Sequence, residues 1–167
     1  MAVATYAPKK LLLMINGIRV TGFSDTDILT ITRDTPKFSK QTGVMDETAR
    51  AHSASSGVRV ALTLMQTSEA NDLLSKLLKQ DDDDPGSSNL VSVYITDQNG
   101  TFHFVTEEAW LVDYPEVSFT NELSNRVWEL DCATTSQHVG GNAVNLGPLG
   151  AFGSVIEEAT GVNIPGI

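Results

Sequence analysis

The chain has 167 residues, 41% of them hydrophobic, a net charge of −10 and one cysteine, Cys132. That length and apolar content suit one domain with its own core, while a lone cysteine excludes an intramolecular disulfide and cannot build a thiolate metal site alone. Residues 1–57 carry seven Lys/Arg against five Asp/Glu (+2) and residues 58–167 carry four against sixteen (−12), an acidic body that argues against a conventional nucleic-acid binder. Such acidity suits plain solubility, or a surface past which a polyanion moves without sticking.

Lys9 and Lys10 precede an apolar run of only Leu11–Ile15, too short for a signal-peptide core. No stretch approaches the length of a membrane span, so no membrane anchor is expected, and the protein is expected to be made and folded in a cytoplasm. Asn16–Gly17 between two β-prone runs, Leu11–Ile15 and Ile18–Phe23, predicts a tight hairpin, because both central turn positions need positive φ. Ile28–Arg33 predicts a third strand, broken by Pro36. Lys37–Ser56 is polar and long for a plain loop. It reads as a protruding hairpin or as a loop ordered by a partner.

In Val58–Met65, Val58, Val60, Leu62 and Leu64 alternate with Arg59, Ala61, Thr63 and Met65, the period of a half-buried strand. The period then changes. Leu73, Leu74, Leu77 and Leu78 recur at helical spacing behind Thr67 or Ser68 as N-cap, with Glu69 and Asp72 in the first turn. Asp81–Asp84 oppose the macrodipole, which predicts a helix end by Gln80. They lack the spaced ligands of a calcium loop and read as a solvated run.

Leu90–Thr96 and Thr101–Thr106 flank Asp97–Gln98–Asn99–Gly100 and predict a second hairpin. Phe102 and Phe104 share a face, leaving His103 as an exposed strand position. Ala109–Val112 and Arg126–Ala133 predict two more strands. In the last, Trp128, Leu130 and Cys132 face inward, with Cys132 a buried small hydrophobe. Glu129 and Asp131 share the opposite face. Paired acids can serve glycosidase or metal chemistry, but alternation alone predicts a polar face on a solvated sheet. His52, His103 and His138 are scattered without ligand spacing, and no Gly-x-Ser-x-Gly nucleophile occurs. No catalytic, metal or cofactor site is expected.

Residues 134–167 hold seven of the thirteen glycines and no Lys or Arg. Gly147, Gly150 and Gly153 do not make a dinucleotide fingerprint, since no clear strand precedes them. Ser154 with Glu157 resembles a capping box that opens one or two helical turns. Val144, Leu146, Leu149, Phe152, Val155 and Ile156 would expose substantial apolar surface if left uncovered. The segment therefore covers its own domain or packs on a neighbour.

Periodicity thus predicts a mainly β fold with a single prominent α-helix, followed by a glycine-rich C-terminal extension. The expected division is a β domain over 1–133, with the polar excursion near 37–57, and an extension over 134–167. Taken in order, the Asn16–Gly17 hairpin, the polar excursion, LTLMQTSEANDLLSKL, the Asn99–Gly100 hairpin, EEAWL and WELDCA resemble the tail tube proteins of contractile-tailed bacteriophages. The resemblance covers residues 11–133 and implies a fold of two packed antiparallel sheets, or an open β-barrel, flanked by one α-helix. Its most specific pieces are Leu62–Asp72, Glu107–Leu111 and Trp128–Ala133, none of which is a catalytic motif.

The resemblance implies a non-enzymatic subunit of the virion tail, assembled in the bacterial host cytoplasm. Six copies would form a ring, and rings would stack into a hollow tube that conducts DNA during ejection without binding it specifically. Closing a ring removes free strand edges, and open head-to-tail stacking makes a filament. Implied partners are other copies of the chain, the sheath, the tape measure and the baseplate and terminator proteins. By the same analogy Thr42, Gly43, Val44, Met45, Asp46 and Glu47 would contact the adjacent ring. Leu146, Leu149, Phe152 and Ile156 would contact a neighbouring subunit, and Glu129 and Asp131 are candidates to face the lumen. Alternatives are the inner tube of a phage-derived bacteriocin or secretion device, and a soluble β-barrel that binds a ligand in its mouth.

Overall fold

Strand alternation and two tight turns organise most of the chain. The structure, a computed structural model, describes residues 5–142. Its strands are β1 (Leu11–Ile15), β2 (Ile18–Arg19), β3 (Leu29–Arg33), β4 (Phe38–Thr42), β5 (Thr48–His52), β6 (Val58–Met65), β7 (Val91–Asp97), β8 (His103–Leu111), β9 (Asn125–Cys132) and β10 (Ser136–His138), with a helix α1 (Ala70–Asp83) between β6 and β7. One antiparallel sheet runs β2-β1-β7-β8-β9-β6-β3, with β10 added to β8. The hairpin β4–β5 forms a second, two-stranded sheet. The fold is mainly β with one helix, as alternation predicts.

The Asn16–Gly17 turn has φ of 51° and 77°, the left-handed pair a two-residue hairpin needs. Its second arm differs from the expected strand Ile18–Phe23. Only Ile18 and Arg19 pair with β1, and the chain then crosses the molecule. The Val20 amide donates to Leu13 O (2.9 Å), but the Met65 amide donates to Gly22 O (2.8 Å) and the Ser24 amide to Thr63 O (3.0 Å). One short segment thus ties β1 to β6, which lie far apart along the sheet path, and the sheet is drawn into an open barrel. Gly22 makes the crossing possible: φ is +80°, and a Cβ there would lie 2.5 Å from Ser68 Oγ.

The core gathers Leu13, Ile15, Val58, Val60, Leu62, Leu64, Ile95, Phe104, Trp128 and Leu130. Eight register pairs join β6 to β9, among them Val60↔Leu130 and Leu62↔Trp128, so both inward sets meet on one face. α1 adds Ala70, Leu74 and Leu78 to that core. The Trp128 indole N–H donates to Asn71 Oδ1 (2.9 Å), holding the helix on the core side. Ser68 Oγ accepts from the Ala70 amide (3.3 Å), although the residue flanking the helix is Glu69.

Three further expectations need correction. First, α1 does not stop by Gln80 but runs through Asp83 and is flanked by Asp84. The Asp84 amide bonds Gln80 O, Asn89 Nδ2 donates to Asp84 O, and Lys79 lies 3.7 Å from Asp83. These local bonds offset an unfavourable dipole term of about 0.3–1 kcal/mol per exposed carboxylate.

Second, the strands expected over Thr101–Thr106 and Ala109–Val112 are one strand, β8, which runs from His103 to Leu111. The register with β7 shifts from Val93↔Thr106 to Val91↔Ala109. This bulge changes the parity, so Phe104 and Thr106 before it and Ala109 and Leu111 after it are all buried.

Third, His103 is not exposed. It is 2% accessible, and its ring stacks on that of His138 at 5.3 Å, because β10 pairs alongside β8 and covers it.

Candidate assembly surfaces

The outward face of β6 and β9 carries the two carboxylates expected as lumen candidates. Arg59 lies directly across from Asp131, and Ala61 across from Glu129. Arg59 grips Asp131 with two hydrogen bonds, Nε to Oδ1 (2.8 Å) and Nη2 to Oδ2 (3.2 Å). Its Nη1 lies 3.8 Å from Glu129 Oε2. The hydrogen bonding that Arg59 donates to Asp131, and then the charge of Asp131, raise the guanidinium pKa above its ordinary value. Arg59 and Glu129 are each nearly half exposed at the side chain, so solvent screens the pairing and it adds little to stability. Its electrostatic consequence is larger: one guanidinium and two carboxylates leave this patch with a net charge of −1, half that of the acids alone. Alternation places Arg59 on this face, but the pairing of strands some seventy residues apart brings it to Asp131.

The polar excursion is a hairpin. β4 and β5 pair from Phe38↔His52 to Thr42↔Thr48, and every residue of both strands is exposed. At the tip the Gly43 amide bonds Glu47 O (2.8 Å), the Asp46 amide bonds Gly43 O (3.3 Å), and Asp46 takes φ of 62°. Val44 and Met45 stand in solvent, 105% and 83% accessible. The hairpin is held by its own contacts: Arg50 over the Phe38 ring at 4.5 Å, Phe38 against His52 at 5.2 Å, and Lys37 Nζ on Ser55 O (2.7 Å). Thr42 to Glu47 therefore form one contiguous tip. Leu146, Leu149, Phe152 and Ile156, the other expected contact set, lie outside the described residues, as does the capping box at Ser154 and Glu157.

A cleft that periodicity gives no sign of opens between β1 and β3. Its volume is about 1010 Å³, and Leu11, Phe23, Leu29, Ile31, Phe102 and Val139 give it apolar walls. Asp25, Asp27, Asp97 and Lys9 stand among its lining residues.

Cys132 is buried within the core. Burial, then the nearby charges of Asp131 and Asp34, push its thiol from 9.0 up to about 12, which removes thiolate reactivity at neutral pH. Among the described residues no group of three or more His, Cys, Asp or Glu side chains gathers as a metal site, and no helix is long and apolar enough to cross a membrane.

No family model matches the chain. Structural protein ORF10 of Pseudomonas phage KPP10 is 32% identical over 145 residues, covering 83% of this chain and 84% of that protein. Among solved structures, the chain is similar in outline to the sheath/tube terminator of an extracellular contractile injection system, PVC, in its extended state (TM-score 0.48, 10% identity, 83% of this chain and 100% of that one). It is similar at the same level to the tube-terminating cap of the anti-feeding prophage (0.48, 12%, 83% and 95%) and to a chain of that prophage's baseplate (0.49, 13%, 85% and 100%).

Proposed function

We propose that this chain, which belongs to the family of the phage structural protein ORF10, builds the tail tube of a contractile phage tail. It acts as a structural subunit and not as an enzyme. Copies of it form rings of six, the rings stack into a hollow tube, and DNA passes through during ejection. Its place is the virion tail, after assembly in the host cytoplasm. Sheath, tape measure, baseplate and terminator proteins are its further partners. A phage relative favours this setting over a bacteriocin or secretion tube.

The observation that carries the assembly reading is the β4–β5 hairpin. None of its residues belongs to the core cluster, yet its tip offers two exposed apolar side chains, Val44 and Met45. A hairpin that adds nothing to its own core, tipped with apolar groups, is built to contact something else. Stacking on the next ring gives Thr42–Glu47 that role. In the tube the carboxylates of Glu129 and Asp131 face the lumen. With Arg59 beside them they make a weakly acidic wall, one that neither grips phosphates nor repels them strongly.

Negative-stain microscopy of the purified chain tests the reading. Hollow tubes are expected from the native sequence. The double variant Val44→Asp, Met45→Asp should keep its native circular dichroism and lose the tubes. Strictly monomeric particles of the native chain at high concentration would overturn the proposal.

A further inference from the structure

We infer that the cleft between β1 and β3 receives the hairpin tip, Val44 and Met45, of a second copy of this chain. The inference rests on the tube reading and adds to it the surface on which the tip docks. The core is incompletely closed at this cleft. Among the described residues six partly buried apolar side chains pack against the core, and five of them, Leu11, Phe23, Leu29, Ile31 and Phe102, line the cleft. Such walls keep apolar surface in water and favour an apolar group that can enter.

The tip has the size to enter. A hairpin is two strands wide, with about 4.7–4.9 Å between strands, and the cube root of the cleft volume, about 1010 Å³, is roughly 10 Å. The chain's own hairpin does not fill the cleft, since every residue of β4 and β5 is exposed and Val44 and Met45 stand in solvent. A knob and a hole on different parts of one chain make a heterologous contact. Each docking leaves a free tip at one end and a free cleft at the other, so the contact propagates from layer to layer.

Charge selects the orientation of the tip. Lys9 lines the cleft and Lys10 follows it, both exposed in the turn Pro8–Lys10. Asp25 and Asp27 line it from the segment that leads into β3 and are exposed too. Asp97, the third carboxylate of the lining, is held by the Asn99 amide (2.9 Å) and Asn142 Nδ2 (2.9 Å). The cleft thus offers a basic segment and an acidic one. The hairpin is divided in the same way: Asp46 and Glu47 are at its tip, while Lys40 and Arg50 pair across its stem. None of these charged side chains enters a salt bridge among the described residues. Tip acids set against the lysines and stem bases against the aspartates match opposite charges at two points, and the reversed orientation brings like charges together. Exposed pairs are individually weak, so the apolar tip supplies the attraction, and repetition around a ring multiplies it.

The test co-assembles a small fraction of the full chain carrying Met45→p-benzoylphenylalanine with heavy-isotope native chain, and irradiates the product. Light-to-heavy cross-links from position 45 to the tryptic peptide 20–33, which holds Phe23, Leu29 and Ile31, are expected. Tubes whose cross-links run to any other surface of the neighbour, or that give none, would overturn the cleft as the seat and leave the tube reading standing. A chain that stays monomeric and gives no cross-link between copies overturns both. In a second measurement, Asp27→Lys should raise the protein concentration needed for tubes several-fold at low ionic strength. Adding Lys40→Asp to the same chain should restore most of the loss, because every copy then carries both exchanged charges. An Asp27→Lys chain that assembles normally, or a double variant no better than the single, counts against the docking orientation.

Discussion

At the scale of single residues, the informative positions are those where a side chain meets a strand distant in sequence. Cys132 is placed on the inward face by its alternation with Glu129 and Asp131, and the core then closes over it. Its thiol titrates at about 12 in the folded protein, against 9.0 ordinarily. Between those values the native state holds a proton that the unfolded state has released. Stability is therefore unaffected below pH 9 and falls as pH rises from 9 toward 12, by up to about 1.4 kcal/mol per pH unit. Urea unfolding across that range should show the slope, and Cys132→Ala should lack this component. Iodoacetamide at pH 8 should modify the native thiol far more slowly than the urea-unfolded one; equal rates would contradict the burial argument. Sequence alone marks this residue as buried. It does not find the cover over His103, because β10, the strand that supplies it, is three residues long and lies outside the periodic part of the chain.

At the scale of elements, alternation is readable where a strand keeps one parity and misleading where it changes. β6 and β9 keep theirs throughout, and their inward residues are the expected ones. β8 changes at a bulge, so a nine-residue strand looks like two fragments. α1 shows the opposite limit of local rules. Three aspartates sit in its last turn against the macrodipole, with Lys79 as the nearest basic group to Asp83. Asp82 is exposed to solvent. Asp82→Lys should therefore stabilise the protein by about 0.3–1 kcal/mol. That corresponds to a rise of about 1–4 °C in Tm for a chain of this size. Differential scanning calorimetry at low ionic strength checks it, and the gain should shrink with added salt.

At the scale of the whole molecule, the barrel and the hairpin are separable. The core cluster contains no residue between Arg33 and Gly57. Deleting Gly43–Ser55 should leave a cooperatively folding subunit with near-native stability, judged by urea unfolding. The same protein should fail to form tubes by electron microscopy, and normal tubes would end the inter-ring role of the hairpin. The acidity of the body looks different at this scale too. The sequence counts sixteen carboxylates after residue 57, but the one pair singled out by parity has a guanidinium folded onto it.

What the sequence determined by itself is what depends on neighbours along the chain. That covers the β class, the strand from Val58 to Met65, the leucine spacing of the single helix, and the Asn16–Gly17 turn. Each is set by side-chain period or by the φ a residue tolerates. Only the tertiary structure decided which strands lie together, where the crossing at Gly22 curls the sheet, that Arg59 neutralises half of the Glu129–Asp131 pair, and that a cleft opens where β3 faces β1. Those outcomes come from contacts between segments as much as 101 residues apart, as from Asn125 to Ser24. Several registers can satisfy the same alternation, and the choice among them rests on how the whole core packs.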